Sequence, residues 1–110
     1  MKLIYISGKY TDKNYTEISK NILKARELAV KVWDKGHVAL CPHLNTYHFE
    51  IDCEASYEQY IEGDLLLVKK CDGMLMLDNW KESKGAKIEK NYAEILGIPV
   101  YYKVEDIQWN

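Results

Sequence analysis

Four short apolar runs divide this chain, and the first three are each followed by a segment with helical spacing. The runs fall at residues 2–7 (KLIYIS), 37–41 (HVALC), 72–77 (DGMLML) and 98–102 (IPVYY). They are rich in β-branched, aromatic and aliphatic residues and stop at Gly8, Pro42 or a polar turn, as strands do. After the first run, Ile18, Ile22, Ala25, Ala29 and Val32 recur every three or four residues. That spacing predicts a helix over residues 14–35, stopped by Gly36. Further helices are expected over 56–70 and 83–96, the last closed by Gly97, with Gly63 weakening or bending the first of the two. Residues 42–53 are polar and aromatic and read as a functional loop. The tail over residues 103–110 is short and ambiguous.

A strand, a helix and a second strand in succession form a right-handed unit with parallel strands. Its repetition predicts an α/β fold, a flavodoxin- or Rossmann-like three-layer sandwich. The parallel sheet should have four to five strands in the order 2-1-3-4. Ligands in such sheets bind beyond the carboxyl ends of the strands, at the switch point. Strands one and three are neighbours there. The turn Ser7-Gly8-Lys9 should therefore face the turn running from Asp78 to Gly85, which carries Asn79 and Trp80.

With 110 residues, the chain is expected to form a single domain spanning residues 1–110, and 47% hydrophobic residues suffice for a core. Net charge is −2 with both signs interspersed. The absence of a basic block argues against polymeric nucleic acid as a partner and leaves small anions open. No segment has the apolar length of a membrane span, and the first residues are too short and β-like for a signal peptide. Cys41, Cys53 and Cys71 are odd in number and show no framework spacing. Reduced thiols in a cytoplasmic protein are the expectation.

The stretch from Asp78 to Pro99 carries the densest chemistry. Ser83 and Gly85 open a helix, whose backbone N–H groups can hold an anion. Glu89 lies one turn in, above the small residues Ala86 and Ala93, which leaves room for a ligand. Alone, such an acid reads first as a solvated surface residue. Asp64 is stranger, because Tyr60, Ile61, Leu67 and Val68 put it on an apolar helix face where a carboxyl needs a partner or a shifted pKa. Two carboxyls at one cleft suit glycosidic chemistry. Tyr5 shares a strand face with Ser7 near the ligand end, and equally reads as a core tyrosine. Lys9 and Ser83 could reach a phosphate, and His43, Asn45 and His48 could line the cleft mouth. The spacing C-x-H-x4-H-x4-C from Cys41 to Cys53 matches no standard zinc pattern, so neither metal nor cofactor is expected. No dinucleotide fingerprint, P-loop or nucleophile elbow is present.

Ser83, Gly85 and Glu89 spell S-x-G-x-x-x-E, which resembles the signature of the nucleoside 2-deoxyribosyltransferase superfamily. Within it, the spacing of Asp64 to Asp72 and the Y-x-x-G opening at Tyr5 resemble the branch that hydrolyses deoxynucleoside 5'-monophosphates. W-x-x-S-x-G-A-x-x-E, from Trp80 to Glu89, is similar to short bacterial and phage domains of that superfamily. The resemblance implies that Glu89 attacks the anomeric carbon, with Asp64 orienting the sugar or helping the base depart, and Tyr5 holding Glu89 or the sugar. Ser7, Gly8, Lys9, His43, Asn45, Asn79, Trp80, Ser83 and Gly85 would line the substrate site. A small nucleoside or nucleotide is the implied substrate. The chain departs from the monophosphate hydrolases in having Lys9 and Thr11 where they place Ser and Arg. Larger members complete the site with further elements, which implies a homo-oligomer, dimer or higher, closing the cleft. The alternative is a nucleotide-binding module that keeps the pocket without the chemistry.

Overall fold

The structure, a computed structural model, describes residues 1–109. Its sheet has four strands, β1 (Leu3–Ser7), β2 (Val38–Leu40), β3 (Gly73–Met76) and β4 (Val100–Tyr101), in the order β2-β1-β3-β4. All three pairings are parallel, and Tyr5 and Ser7 of β1 sit opposite Met74 and Met76 of β3. This is the order the alternation of elements predicts, with four strands among the described residues.

Strand alternation sorts the core into two layers. On one face Ile4, Ile6, Leu75 and Leu77 pack against Ala25, Ala29 and Val32 of α1 (Tyr15–Asp34). On the other, Tyr5, Met74 and Met76 meet Val68 at the end of α4 (Tyr57–Val68) and Ala86 and Ala93 of α5 (Lys84–Ile95). Each long helix begins with a side-chain cap: Asn14 accepts from the Glu17 N–H, Ser56 from Gln59 and Ser83 from Ala86.

Three details refine the expectations. Residues 42–53 are not one loop, because two one-turn helices form there, α2 (Pro42–Asn45) and α3 (Phe49–Asp52). Pro42 stands at the start of α2, where its fixed φ suits a helix and its missing N–H costs nothing. His48 precedes α3 in the left-handed region at φ 52°. Second, α4 runs unbroken through Gly63, which faces open space. Third, the tail is patterned: Val104–Asp106 makes a 3-10 turn and Ile107 is 3% exposed in the α1 layer. The Trp109 ring lies 4.5 Å from that of His37, so this aromatic packs on its own domain. Asn110 lies outside the described residues. Among those residues no helix is long and apolar enough to cross a membrane.

Candidate active site

A cavity of about 550 Å³ opens where β1 ends. Its floor and one wall come from regular elements. Alternation turns Tyr5 and Ser7 toward α5, and the small residues Ala86 and Ala93 let that helix lie close to the sheet. Glu89 therefore reaches β1: the Tyr5 hydroxyl donates to Oε2 at 3.0 Å and the Ser7 hydroxyl to Oε1 at 2.7 Å. Tyr5 and Ser7 are fully buried and Glu89 is 6% exposed. Gly85 allows α4 to approach, since a Cβ there would stand 3.1 Å from Ile61 Cδ1. This brings Asp64 into hydrogen-bonding reach of Glu89.

Burial is the largest influence on Glu89, and with the charge of Asp64 it outweighs the Ser7 and Tyr5 hydroxyls, lifting the carboxyl from 4.5 to about 8. Burial also lifts Asp64 from 3.8 to about 6, against a hydrogen bond with Glu89 that lowers it. That order alone would put a shared proton on Glu89. The two hydroxyls donating to Glu89 favour its ionised form and so ease passage of that proton to Asp64. The pair titrates as a unit and holds one proton at neutral pH. Burial first, then the charge of Glu89, pushes the Tyr5 phenol well above 10, so it stays a donor.

The remaining residues singled out in the sequence divide into three groups. Gly8, Lys9, His43, Ser83 and Gly85 line the cavity. The Ser83 hydroxyl caps α5 through Ala86 N–H at 3.1 Å, and Lys9 Nζ pairs with Asp12 at 3.4 Å and Glu82 at 3.7 Å. Lys9 is thus already paired, whereas the Ser83 hydroxyl only accepts in the cap and keeps its hydrogen free to donate. His43 Nε2 contacts the Lys9 carbonyl at 2.9 Å, and because a carbonyl only accepts, that nitrogen carries hydrogen. Burial holds this imidazole below 6.5, so it is neutral at pH 7.

Ser7, Asn45, Asn79 and Trp80, expected to touch substrate, do not line the cavity. Ser7 is engaged with Glu89, and Asn79 Oδ1 accepts the Lys9 N–H at 2.9 Å and so fixes the turn. Asn45 projects into solvent from α2. Trp80 packs beneath Lys90, 5.2 Å from the ring centroid, and beside Tyr102. His48, expected at the mouth, is instead buried between Ser19 and Glu50.

The sequence reading also missed several lining residues. Tyr57 and Ile61 share a helical stripe with Asp64, a signal available in the spacing. Tyr10, Thr46, Glu50 and Cys53 line the cavity from segments whose meeting no local period announces. Among the described residues, no group of three or more His, Cys, Asp or Glu gathers as metal ligands would.

The fold is that of the nucleoside 2-deoxyribosyltransferase-like superfamily. The 2-deoxyribosyltransferase of the psychrotolerant bacterium Bacillus psychrosaccharolyticus, described as a biocatalyst for the synthesis of antiviral and antitumoral nucleosides, matches at a TM-score of 0.60 and 25% identity. The match covers 89% of this chain and 69% of that one. The family model for a domain of unknown function, DUF4406, matches residues 2–102, and the chain belongs to that family. No curated protein sequence matches it.

Proposed function

We propose that this protein cleaves or transfers an N-glycosidic bond of a nucleoside, with Glu89 as nucleophile. The observation that carries the reading is the buried Glu89 carboxyl, oriented by Tyr5 and Ser7 and paired with Asp64 at one cavity. Two fixed hydroxyls and a second acid are what a carboxylate needs to attack a sugar carbon repeatedly in one geometry.

In the first step the shared proton passes from Glu89 to Asp64, the ionised Glu89 attacks the anomeric carbon and the bond to the base breaks. The bonding electron pair leaves with the base, and the Asp64 proton neutralises it. In the second step a water oxygen, or a nitrogen of another base, attacks that carbon and frees the Glu89 carboxylate. Asp64 takes up the proton that the attacking group loses.

An unphosphorylated nucleoside suits the cavity better than a 5'-monophosphate. Four acids line it, Glu50, Asp64, Glu82 and Glu89, against two lysines, Lys9 and Lys84, of which Lys9 is already paired. We further propose a homo-oligomer that closes the mouth, supported by exposed Tyr47, Phe49 and Ile51 on the neighbouring segment. A reducing cytoplasm fits its three free cysteines.

The test is a panel of nucleosides and their 5'-monophosphates, with free base followed by chromatography. The expected result is base release by the native chain and none by Glu89→Gln. Thermal stabilisation by a nucleoside with no release over long incubation would establish a binding module in place of the enzyme.

A further inference from the structure

The cavity holds a second set of polar groups that the proposed reaction leaves unused. Glu50 lines it and is fixed from two sides: the Tyr10 hydroxyl donates to Oε1 at 2.6 Å and His48 Nδ1 to Oε2 at 2.8 Å. The same Tyr10 oxygen accepts the His48 backbone N–H at 2.9 Å. His48 is itself held by Ser19 Oγ at 3.0 Å and by stacking on Tyr15, with centroids 4.0 Å apart and planes at 9°. A glutamate on a one-turn helix would ordinarily sample many rotamers. Here Tyr10 from a distant segment and His48 from the cap of its own helix pin it.

Burial pushes the Glu50 carboxyl up, but hydrogen bonds from Tyr10 and His48 outweigh it and hold the group below its usual range. It is therefore ionised, and a carboxylate only accepts. Each oxygen takes one hydrogen bond from the protein and keeps a lone pair in reserve. Nearby on the same wall, the Tyr60 hydroxyl is buried without an oxygen or nitrogen partner. Its polar neighbour is the Cys53 thiol, a weak acceptor. A buried hydroxyl left in that state is costly unless a ligand completes it.

We infer that Glu50 and Tyr60 read the leaving base, and that they select bases bearing an exocyclic amino group. The inference rests on the glycosidic reading of the same cavity. An amino group projects clear of the ring and offers hydrogens to the free lone pairs of Glu50. The hydroxyl of Tyr60 can donate to the ring nitrogen beside it. An oxo base puts an acceptor where the amino group stood, and its imino N–H is flanked by a carbonyl that opposes the carboxylate.

Binding is measured by calorimetry on the Glu89→Gln chain, so that chemistry does not intervene. The probes are 2'-deoxycytidine against 2'-deoxyuridine and 2'-deoxyadenosine against 2'-deoxyinosine. The amino member of each pair is expected to bind about tenfold tighter. Adding Glu50→Gln should bring that preference close to unity. Tyr60→Phe removes no oxygen or nitrogen partner within the protein and should weaken amino bases severalfold even if the Glu50 variant misfolds. Equal or reversed affinities within both pairs overturn the inference. Base release by the native chain with no such preference overturns it too and leaves the glycosidic reading standing. Amino preference in binding with no release from any probe overturns the glycosidic reading alone. No binding by any of the four overturns both.

Discussion

Where Glu89 meets Tyr5 and Ser7, the cavity wall is made of β1, α4 and α5; where Tyr10 meets Glu50, it is made of a loop and two one-turn helices. On the first wall, backbone geometry does the positioning. Sheet alternation aims the hydroxyls, helical spacing aims the acids, and Ala86, Ala93 and Gly85 set how closely the elements approach. On the second wall, side chains position one another through Tyr10, Glu50, His48 and Ser19. The first arrangement tolerates buried, energetically unfavourable acids because the packing around them cannot easily yield. The second depends on every hydrogen bond in its chain, so a single missing hydroxyl should loosen it.

This contrast is best broken at its strongest point. Asp64→Asn removes the proton donor without altering the fit of α4 against α5, and base release should slow by about a hundredfold or more. Retention of that variant's fold and nucleoside affinity, checked by circular dichroism and calorimetry, would separate chemistry from structure.

Next in size is the pH dependence of stability. Both acids have folded-state pKa values above their unfolded ones, from 4.5 to about 8 for Glu89 and from 3.8 to about 6 for Asp64. The fold therefore binds protons more tightly than the unfolded chain. This contribution is fully present below about pH 4 and is lost as pH rises through about 6 to 8. The melting temperature should fall from pH 5 to pH 9 in the native chain, and Glu89→Gln should flatten much of that slope. A native profile that rises over this range would mean the pair is not buried as described.

The second wall predicts a smaller and different response. Tyr10→Phe leaves the His48 N–H and Glu50 each short of a partner, and should cost about 1–2 kcal/mol in chemical denaturation. It should raise KM with little change in kcat, the reverse of the Asp64 variant. Smallest of all, Gly63→Ala should stabilise the chain by about 0.5–1 kcal/mol, since the site is helical and open, with kinetics unchanged.

The two walls also differ in how far the sequence disclosed them. Periodicity is a local property, so it revealed the strands, the three long helices, the sheet order and the stripe that carries Asp64. It also placed Tyr5 and Glu89 at one end of the sheet. It did not reveal that Ser7 would bond to Glu89, or that Asn79 and Trp80 would turn from the cavity, because a position near the right strand end does not fix where a side chain points. The second wall was nearly invisible. Tyr10 and Glu50 are forty residues apart, and His48 adopts a left-handed backbone with no glycine to announce it. The one-turn helices are too short to show a period, and only Pro42 marks where the first begins.

The proton held between Glu89 and Asp64 has a consequence for how ligands can be detected. Any molecule that enters beside the pair changes its solvation, and so changes how tightly that proton is bound. Uptake or release of even a fraction of a proton is matched by the surrounding buffer. The apparent heat of binding should therefore depend on the buffer's ionisation enthalpy when the ligand reaches Glu89, and be indifferent to it when the ligand stops short. The slope across several buffers would report the depth of occupancy without any product having to form.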